Sequence, residues 1–325
     1  MANITLDILK KELPAIAAEY DAICVLGPTA SGKTRFAMEM ALALGHFEGG
    51  GFVHAAEIIS ADSRQVYRGM DIGTGKDLCE YTVEVGGVGV SVPYHLMDIV
   101  DAGQKYNIFQ YQRDFSRAYR SVRERGRTAI ICGGSGLYIE AATRGYALQD
   151  VKPNPQLRDE LEQKSLEELA QMLVELKEKR GQKVHNNTDF DTKKRAIRAI
   201  EIEQFALENG MPEQDMPLLP QNVYYIGVDI DRDLRNAKID ARLKARLEEG
   251  MVEEVKGLLD SGIAAEDLIY YGLEYKFVTQ YIIGELGYDE MVEKLGIAIH
   301  QFAKRQMTWF RGMERKGVQI NWVKV

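Results

Sequence analysis

The sequence predicts an α/β protein in which helices flank a parallel β-sheet and a mainly helical insertion interrupts the core. The apolar runs at residues 22–26, 128–132 and 223–229 are typical of buried strands, and segments with helical periodicity separate them. Directly after the first run, residues 27–34 (GPTASGKT) fit the pattern G-x-x-x-x-G-K-[ST] and lead into a helical segment. A strand, a glycine-rich loop and a helix in this order indicate a P-loop NTPase-like core.

The composition is that of a globular protein of one large or two modest domains. Charged residues make up 28% and hydrophobic residues 45% of the 325 residues, and no apolar run approaches the roughly 18 residues of a membrane span. The N-terminal segment contains acids and lacks an apolar core, so we expect no signal peptide. Cys24, Cys79 and Cys132 lie far apart and outside any CxxC or Cys/His cluster, which favours a reduced, cytoplasmic setting without structural zinc.

The loop at residues 27–34 has the residue types that phosphate binding requires. Its glycines let successive backbone N–H groups point into one concavity, and the following helix adds its positive end. Lys33 brings a mobile cation to the outer phosphate, and the Thr34 hydroxyl can bind Mg²⁺. The sequence therefore predicts that a diphosphate or triphosphate binds here.

Several segments around this loop have clear local patterns. Residues 3–20 predict a helical lead-in that Pro14 interrupts, and the helix after the loop should end at Gly45. Alternating valines predict a hairpin at residues 83–92, and residues 106–125 have the periodicity of a helix. Residues 71–76 form a glycine-rich turn with a lysine, for which a plain turn is an equally good explanation.

Residues 57–63 (EIISADS) predict a second parallel strand that emerges into a polar tip, Asp62 and Ser63. Because ligands in open α/β sheets bind at the carboxyl ends of strands, both residues should lie beside the phosphate loop. A carboxylate at this point can act as a base or hold Mg²⁺ through water. Capping of a helix at residues 64–68 explains Asp62 equally well, and spacing alone leaves both open.

The strand at residues 128–132 is followed by residues 133–138 (GGSGLY). No Asp ends this strand, where a nucleoside-triphosphate hydrolase places its Walker B carboxylate. The tip instead offers glycine N–H groups and the Ser135 hydroxyl, which can donate hydrogen bonds to an oxyanion or cap the next helix. This pattern disfavours hydrolytic motor function and favours a transferase.

Two regions carry clustered basic residues, although the formal net charge is −8. The helix at residues 233–247 has a basic stripe of Arg235, Lys238, Arg242 and Arg246, which on its own is most simply a solvated face. Residues 300–311 interleave cations with aromatic residues, as nucleic-acid-binding segments do, although Trp309 and Phe310 fit the core of a helix equally well.

Three domain segments are predicted. Residues 1–145 form the first part of the core, residues 146–220 form a charged, proline-bounded helical insertion, and residues 221–325 complete the core with C-terminal helices. Within the insertion, residues 157–180 have helical periodicity, and the segment 186–189 precedes the basic stretch at residues 193–198.

Five ordered motifs resemble those of the tRNA dimethylallyltransferases, the bacterial tRNA isopentenyltransferases. They are residues 27–34 (GPTASGKT), 62–76 (DSRQVYRGMDIGTGK), 93–98 (PYHLMD), 133–138 (GGSGLY) and 303–312 (AKRQMTWFRG). The resemblance implies transfer of a prenyl group from dimethylallyl diphosphate to the exocyclic amine of the adenine beside the anticodon, with release of diphosphate. It also implies that the P-loop holds the diphosphate of the donor rather than ATP.

The resemblance assigns roles to individual residues. Asp62 would be the base, and Ser135, at a position usually held by Thr, would help the bridging oxygen to leave. Lys33 and Arg242 would stabilise the diphosphate, and Thr34 would bind the Mg²⁺ cofactor. The implied diphosphate-binding residues are Gly27, Thr29, Ala30, Ser31, Gly32, Lys33 and Thr34. The implied tRNA-binding residues are Asp62, Ser63, Arg64, Gln65, Arg158, Lys194, Arg195, Arg198, Lys304, Arg305 and Gln306.

The chain departs from the family pattern at residues 189–195 (DFDTKKR) and 271–276 (YGLEYK) and in its N-terminal lead-in. The anticodon stem-loop of tRNA and dimethylallyl diphosphate are the expected partners. No membrane or protein partner is implied, and a monomer is the default expectation. Three alternatives remain: a P-loop nucleoside or nucleotide kinase, an isopentenyltransferase acting on free adenine nucleotides, and a non-catalytic nucleic-acid-binding protein.

Overall fold

The strands follow the predicted apolar runs, with short additional strands between them. The computed structural model describes residues 6–146, 151–181, 191–210 and 217–324. Its strands are β1 (Ala22–Leu26), β2 (His46–Glu48), β3 (Gly51–Val53), β4 (Ala56–Ser60), β5 (Tyr67–Arg68), β6 (Thr82–Val85), β7 (Val88–Ser91), β8 (Tyr94–His95), β9 (Val100–Asp101), β10 (Thr128–Gly133), β11 (Val223–Asp229) and β12 (Ile320–Lys324).

Helices cover both faces of the central sheet and form most of the insertion. They are α1 (Leu6–Glu19), α2 (Lys33–Leu44), α3 (Ile108–Glu124), α4 (Gly136–Thr143), α5 (Pro155–Glu162), α6 (Leu166–Lys179), α7 (Lys193–Asn209), α8 (Arg232–Glu248), α9 (Met251–Asp260), α10 (Ala265–Tyr270), α11 (Leu273–Ile282) and α12 (Tyr288–Arg315). Among the described residues, no helix is both long and apolar enough to cross a membrane.

The central sheet is parallel and has the strand order β12-β11-β1-β10-β4-β8. From β1 the chain passes through α2 to β4, two places away, whereas from β10 it crosses to β11 on the other side of β1. The connections therefore leave β1 and β10 in opposite directions, which opens a crevice at their carboxyl ends. The predicted α/β class with a P-loop-like parallel sheet is confirmed.

The strands are apolar throughout because both faces of the sheet are covered. On β1, Cys24 and Leu26 pack on the side of α3, α8 and α12, whereas Ile23 and Val25 pack on the side of α1 and α2. Every residue of this strand is buried. The rigid strand therefore delivers the phosphate loop to one defined place at the edge of the sheet.

Local predictions were correct where the sequence pattern was strong. In α1, however, packing outweighs the local preference of a residue. The predicted hairpin is formed by β6 and β7, and α3 begins with a capping box between Asn107 and Gln110. The predicted interruption at Pro14 is wrong, because α1 continues through this residue. Burial of Leu9 and Leu13 outweighs the cost of about 3 kcal/mol that a proline imposes inside a helix.

The chain divides into two compact units. One comprises Met1–Tyr146 and Pro217–Val325, and the other, Ala147–Met216, lies within the range of the predicted insertion. The second unit has its own core, built from Leu161, Leu169, Leu173, Ala196, Ile197 and Ile200. The stretch predicted as helical at residues 157–180 is split, because Ser165 starts α6 with a capping box. The predicted segment 186–189 lies outside the described residues.

Candidate active site

The P-loop leaves β1 and enters α2 through two residues with positive φ, Ala30 (60°) and Gly32 (82°). A left-handed backbone at this point turns the N–H groups toward the start of α2, as anion binding requires. Gly27 is required for packing, because a Cβ there would lie 2.6 Å from the Oγ of buried Ser31. Thr34 lies in the first turn of α2 and is half-buried.

The tips of β4 and β10 are joined beside this loop. The Ala61 N–H donates to the Cys132 carbonyl (2.7 Å), and the Ser63 N–H donates to the Ser135 Oγ (3.4 Å). Ser135 is the N-cap residue of α4 by position, but its side chain makes no cap hydrogen bond. The structure therefore brings the predicted Asp62 tip and the predicted Ser135 hydroxyl to one place.

Asp62 does not cap a helix. Residues 64–66 form a turn that leads into β5, so the helix expected at residues 64–68 is absent. The Asp62 Oδ1 instead accepts a hydrogen bond from the Arg64 N–H (2.8 Å), as in an Asx turn. This bond fixes the orientation of a half-buried carboxylate at the strand tip.

Gln306 lies inside the site rather than on its surface. Its Oε1 accepts from the Thr29 N–H of the P-loop (2.8 Å), and its Nε2 donates to the Gly134 carbonyl (2.9 Å). Only 6% of the residue is exposed. Its neighbours Lys304 and Arg305 are exposed on α12. One buried amide thus connects the P-loop to the tip of β10.

Arg242 and Arg246 of α8 line a small, partly open pocket together with Thr29 and Ala30 of the P-loop. Arg242 is bonded to the Asp77 carboxylate, and the Arg246 Nη2 lies 3.7 Å from the same carboxylate. Burial lowers the pKa of the Lys33 ammonium, and the nearby Asp62 carboxylate opposes this shift. The basic stripe predicted on this helix is therefore partly turned toward the P-loop.

The glycine-rich turn at residues 71–76 binds an internal carboxylate. The N–H groups of Asp71, Ile72 and Gly73 donate to Glu254 at 2.8, 2.8 and 3.1 Å. The Tyr275 hydroxyl donates to the same carboxylate (2.6 Å). This turn is therefore a structural anchor for α9, and its concavity is filled by the protein itself.

A buried lysine joins two of the sequence motifs. The side chain of Lys76 is 0% exposed and donates to the Tyr67 carbonyl and to the carboxylates of Asp71 (2.6 Å) and Asp98. Residues 62–76 and 93–98 are thus held together at one point. The lysine neutralises charge inside the protein and is not free to contact a phosphate.

Arg64 and Gln65 lie between the strand tip and α10. The Arg64 guanidinium lies over the Tyr270 ring, 5.7 Å from its centroid. Gln65 accepts from the Ser60 hydroxyl (3.1 Å) and donates to the Gly75 carbonyl (3.2 Å). Both side chains are half-buried, and Gln65 also supports the turn that contains Gly75.

In the insertion, two of the predicted tRNA-binding arginines hold a buried carboxylate. Arg158 donates to both oxygens of Glu201 (2.8 and 2.7 Å), and Arg198 donates to Glu201 (3.2 Å) and to the Val151 carbonyl (2.8 Å). Glu201 is only 1% exposed at its side chain. The remaining predicted residues, Lys194 and Arg195, are exposed on α7.

Sequence reasoning missed the acids that organise these cations. Asp77, Glu201 and Glu254 occur in no phosphate-binding pattern, and nothing in their sequence neighbourhood indicates a distant arginine or loop as the partner. The i, i+4 spacing of Arg242 and Arg246 did place both guanidinium groups on one helix face. The family resemblance implies a diphosphate role for Arg242 alone, although Arg246 lies on the same face of the helix.

The chain matches known proteins over nearly its full length. The family model "IPP transferase" matches residues 65–313. A tRNA dimethylallyltransferase 2 of Bacteroides fragilis is 55% identical over 305 residues, which cover 94% of this chain and 93% of that protein. A tRNA dimethylallyltransferase 2 of Syntrophotalea carbinolica is 47% identical over 301 residues, with 93% of each chain covered.

Solved structures agree with this match. The full-length tRNA isopentenylpyrophosphate transferase of Bacillus halodurans aligns with a TM-score of 0.61 at 29% identity, covering 94% of this chain and 90% of that one. A eukaryotic dimethylallyltransferase acting on tRNA aligns with a TM-score of 0.65 at 21% identity over 89% of this chain and 69% of that one, and so supports the fold. The chain therefore belongs to the tRNA dimethylallyltransferase family.

Proposed function

We propose that this protein transfers a dimethylallyl group from dimethylallyl diphosphate to the exocyclic amine of the adenine beside the anticodon of tRNA. The allylic C–O bond breaks, a C–N bond forms to the amine, the amine loses one proton, and diphosphate leaves. The observation that carries the proposal is the junction of the Asp62 and Ser135 strand tips beside a P-loop, without an acid at the end of β10. Membership of the family supports it.

Asp62 is the base in this proposal. The adenine amine is a weak nucleophile because its lone pair is delocalised into the ring, so removal of its proton as the bond forms lowers the barrier. Asp62 Oδ1 is oriented by the Arg64 N–H, and we assign Oδ2 as the oxygen that accepts the proton. Extrusion of the base from the anticodon loop would bring the amine to this carboxylate.

The leaving diphosphate is stabilised by the P-loop amides, Lys33 and Arg242. These groups come from different elements and are held in place before the substrate binds, which is the arrangement that stabilises developing charge most strongly. Ser135 donates its hydroxyl hydrogen to the bridging oxygen in this proposal. Its Oγ accepts a hydrogen bond from the Ser63 N–H, so the two strand tips lie side by side. In this proposal Ser135 acts on the C–O bond that breaks, and Asp62 acts on the amine that forms the C–N bond.

Mg²⁺ is the proposed cofactor, with Thr34 as its protein ligand. The donor chemistry fits, because Mg²⁺ in phosphate sites keeps several waters and uses one or two protein oxygens together with the substrate phosphates. When bound, the ion would neutralise charge on the diphosphate. The proposed setting is the cytoplasm, where bacterial tRNA is found.

For tRNA, we propose that the exposed cations make the direct contacts. Four cations have exposed side chains and can contact phosphates: Lys194 and Arg195 on α7, and Lys304 and Arg305 on α12. Arg158 and Arg198 share one face of the insertion with Glu201, so any contact that they make to tRNA must leave that carboxylate paired. Gln65 and Gln306 act through the loops that they support, which are the turn at Gly75 and the P-loop.

The deciding experiment is incubation of the protein with undermodified tRNA, dimethylallyl diphosphate and Mg²⁺, followed by nucleoside mass analysis. We expect prenylated adenosine in tRNA and one diphosphate released for each transfer, without consumption of ATP. A nucleoside or nucleotide kinase would consume ATP and leave the tRNA unchanged. Prenylation of free AMP or ATP with untouched tRNA would favour the adenine-nucleotide transferase instead.

A further inference from the structure

Arg246 is a buried cation with an unused donor. Its side chain is only 12% exposed. Its Nη2 is buried and has no hydrogen-bond partner within the described part of the chain, and the Asp77 carboxylate is 3.7 Å away. A buried charged donor without an acceptor is costly, and a bound water, ion or ligand is the usual partner of such a group.

The position of this donor points to the ligand. Arg246 lines the same pocket as Arg242 and as Thr29 and Ala30 of the P-loop. The rest of the lining is Glu274 of α11 and the apolar side chains of Ile239, Leu243 and Ile299. An anion held by the P-loop would therefore lie within the field of both guanidinium groups.

The protein supplies too little negative charge to satisfy both arginines. Asp77 is shared between Arg242 and Arg246. Burial raises the pKa of the Glu274 carboxyl, which also lines the pocket. Among the described residues, Asp77 is the carboxylate within ion-pair distance of both guanidinium groups. An anionic ligand with several charges would therefore add the acceptors that Asp77 alone does not supply.

The backbone at Gly75 fits around these two arginines. Gly75 has a positive φ of 63°, and a Cβ there would lie 1.7 Å from the Arg246 Nη2 and 2.6 Å from the Arg242 Nη2. The absence of a side chain lets both guanidinium groups lie against the loop. Their position is therefore defined by packing before any ligand arrives.

We propose that Arg246 binds the diphosphate of the prenyl donor together with Arg242, so that two guanidinium groups hold the leaving group opposite the P-loop. This inference rests on the proposed function and adds a binding residue to it. The i, i+4 spacing on α8 lets each arginine address a different phosphoryl group, and guanidinium suits phosphate because its planar donors can bind two oxygens.

The test compares Arg246→Met with Lys244→Met, a control on the same helix with the same charge change and an 80% exposed side chain. Binding of inorganic pyrophosphate with Mg²⁺ is measured by calorimetry, and KM is measured separately for dimethylallyl diphosphate and for tRNA. We expect Arg246→Met to weaken pyrophosphate binding roughly 10- to 100-fold and to raise the KM for dimethylallyl diphosphate, with the KM for tRNA unchanged. Lys244→Met should bind pyrophosphate as the wild type does.

Arg246→Lys tests the same idea if the methionine variant folds poorly. It keeps the charge, loses the planar fork, and should give an intermediate loss of pyrophosphate affinity. Wild-type affinity for pyrophosphate in folded Arg246→Met, or an equal change in both KM values, would overturn the role of Arg246. Failure of the wild-type protein to prenylate tRNA would instead overturn the proposed function, so the two failures are distinguishable.

Discussion

A substitution of Gln306 tests whether this buried side chain supports the P-loop or contacts tRNA. Its position in the motif AKRQMTWFRG implies contact with tRNA, whereas the structure places its amide between the P-loop and the tip of β10. Replacement by Met keeps the length and the apolar contacts of the side chain but removes both hydrogen bonds. The variant therefore separates support of the phosphate loop from recognition of nucleic acid.

The expected loss of stability follows from the two backbone groups that lose their hydrogen-bond partner in Gln306→Met. The Gly134 carbonyl is buried, and loss of its donor costs about 1–3 kcal/mol. The Thr29 N–H is only partly buried and can recover water, so its loss costs roughly 0.5–1.5 kcal/mol. Together these give a fall of about 1.5–4.5 kcal/mol in the free energy of unfolding of Gln306→Met. Pyrophosphate affinity should fall as well, because the Thr29 amide lies in the P-loop.

Chemical denaturation and pyrophosphate calorimetry measure these effects, and a filter-binding assay measures tRNA affinity. Lys304→Met is the matched comparison, since Lys304 lies two residues away but is exposed. It should lower tRNA affinity and change the unfolding free energy by less than about 0.5 kcal/mol. A Gln306→Met protein with unchanged stability and pyrophosphate affinity but weakened tRNA binding would refute the structural role.

Three other predictions concern the turnover of the reaction, the stability of the fold and the dependence of that stability on pH. Asp62→Asn should lower kcat by roughly 10²-fold or more with tRNA affinity almost unchanged, measured by single-turnover prenylation; normal turnover would exclude Asp62 as the base. Lys76→Met should lower the unfolding free energy by roughly 2 kcal/mol or more in denaturant titrations, because two carboxylates lose their partner; an unchanged midpoint would contradict this. Burial alone would raise the pKa of Glu57, but hydrogen bonds from Arg125, His95 and Arg127 outweigh it and lower the pKa to about 2 from the ordinary 4.5. The contribution of Glu57 to stability, about 3 kcal/mol, is therefore fully present above about pH 4.5 and is lost as the pH falls toward 2. Unfolding curves of Glu57→Gln should be less pH-dependent than wild type in this range, and parallel curves would refute the assignment.

The sequence was a good guide wherever one local pattern specified one structure. The hairpin at residues 83–92 and the helix α3 followed from alternation and periodicity, and the tips of β4 and β10 followed from where apolar runs end. It was a poor guide where tertiary contacts outweighed local preference. The helix α1 passes through Pro14 because its apolar face is buried, and residues 64–66 turn instead of forming a helix.

The sequence alone determined the P-loop, the strand-tip residues Asp62 and Ser135 and the family, because each depends on residue types at fixed short spacings. The tertiary structure alone decided which charged and polar side chains are free to meet a ligand. Gln306 and Thr29 are 277 positions apart, and the partner of Arg158 is 43 positions away. No local pattern encodes such a pairing, since it depends on which surfaces the completed sheet and helices bring together. The burial of the Arg246 Nη2 without a hydrogen-bond partner among the described residues depends on the same long-range packing.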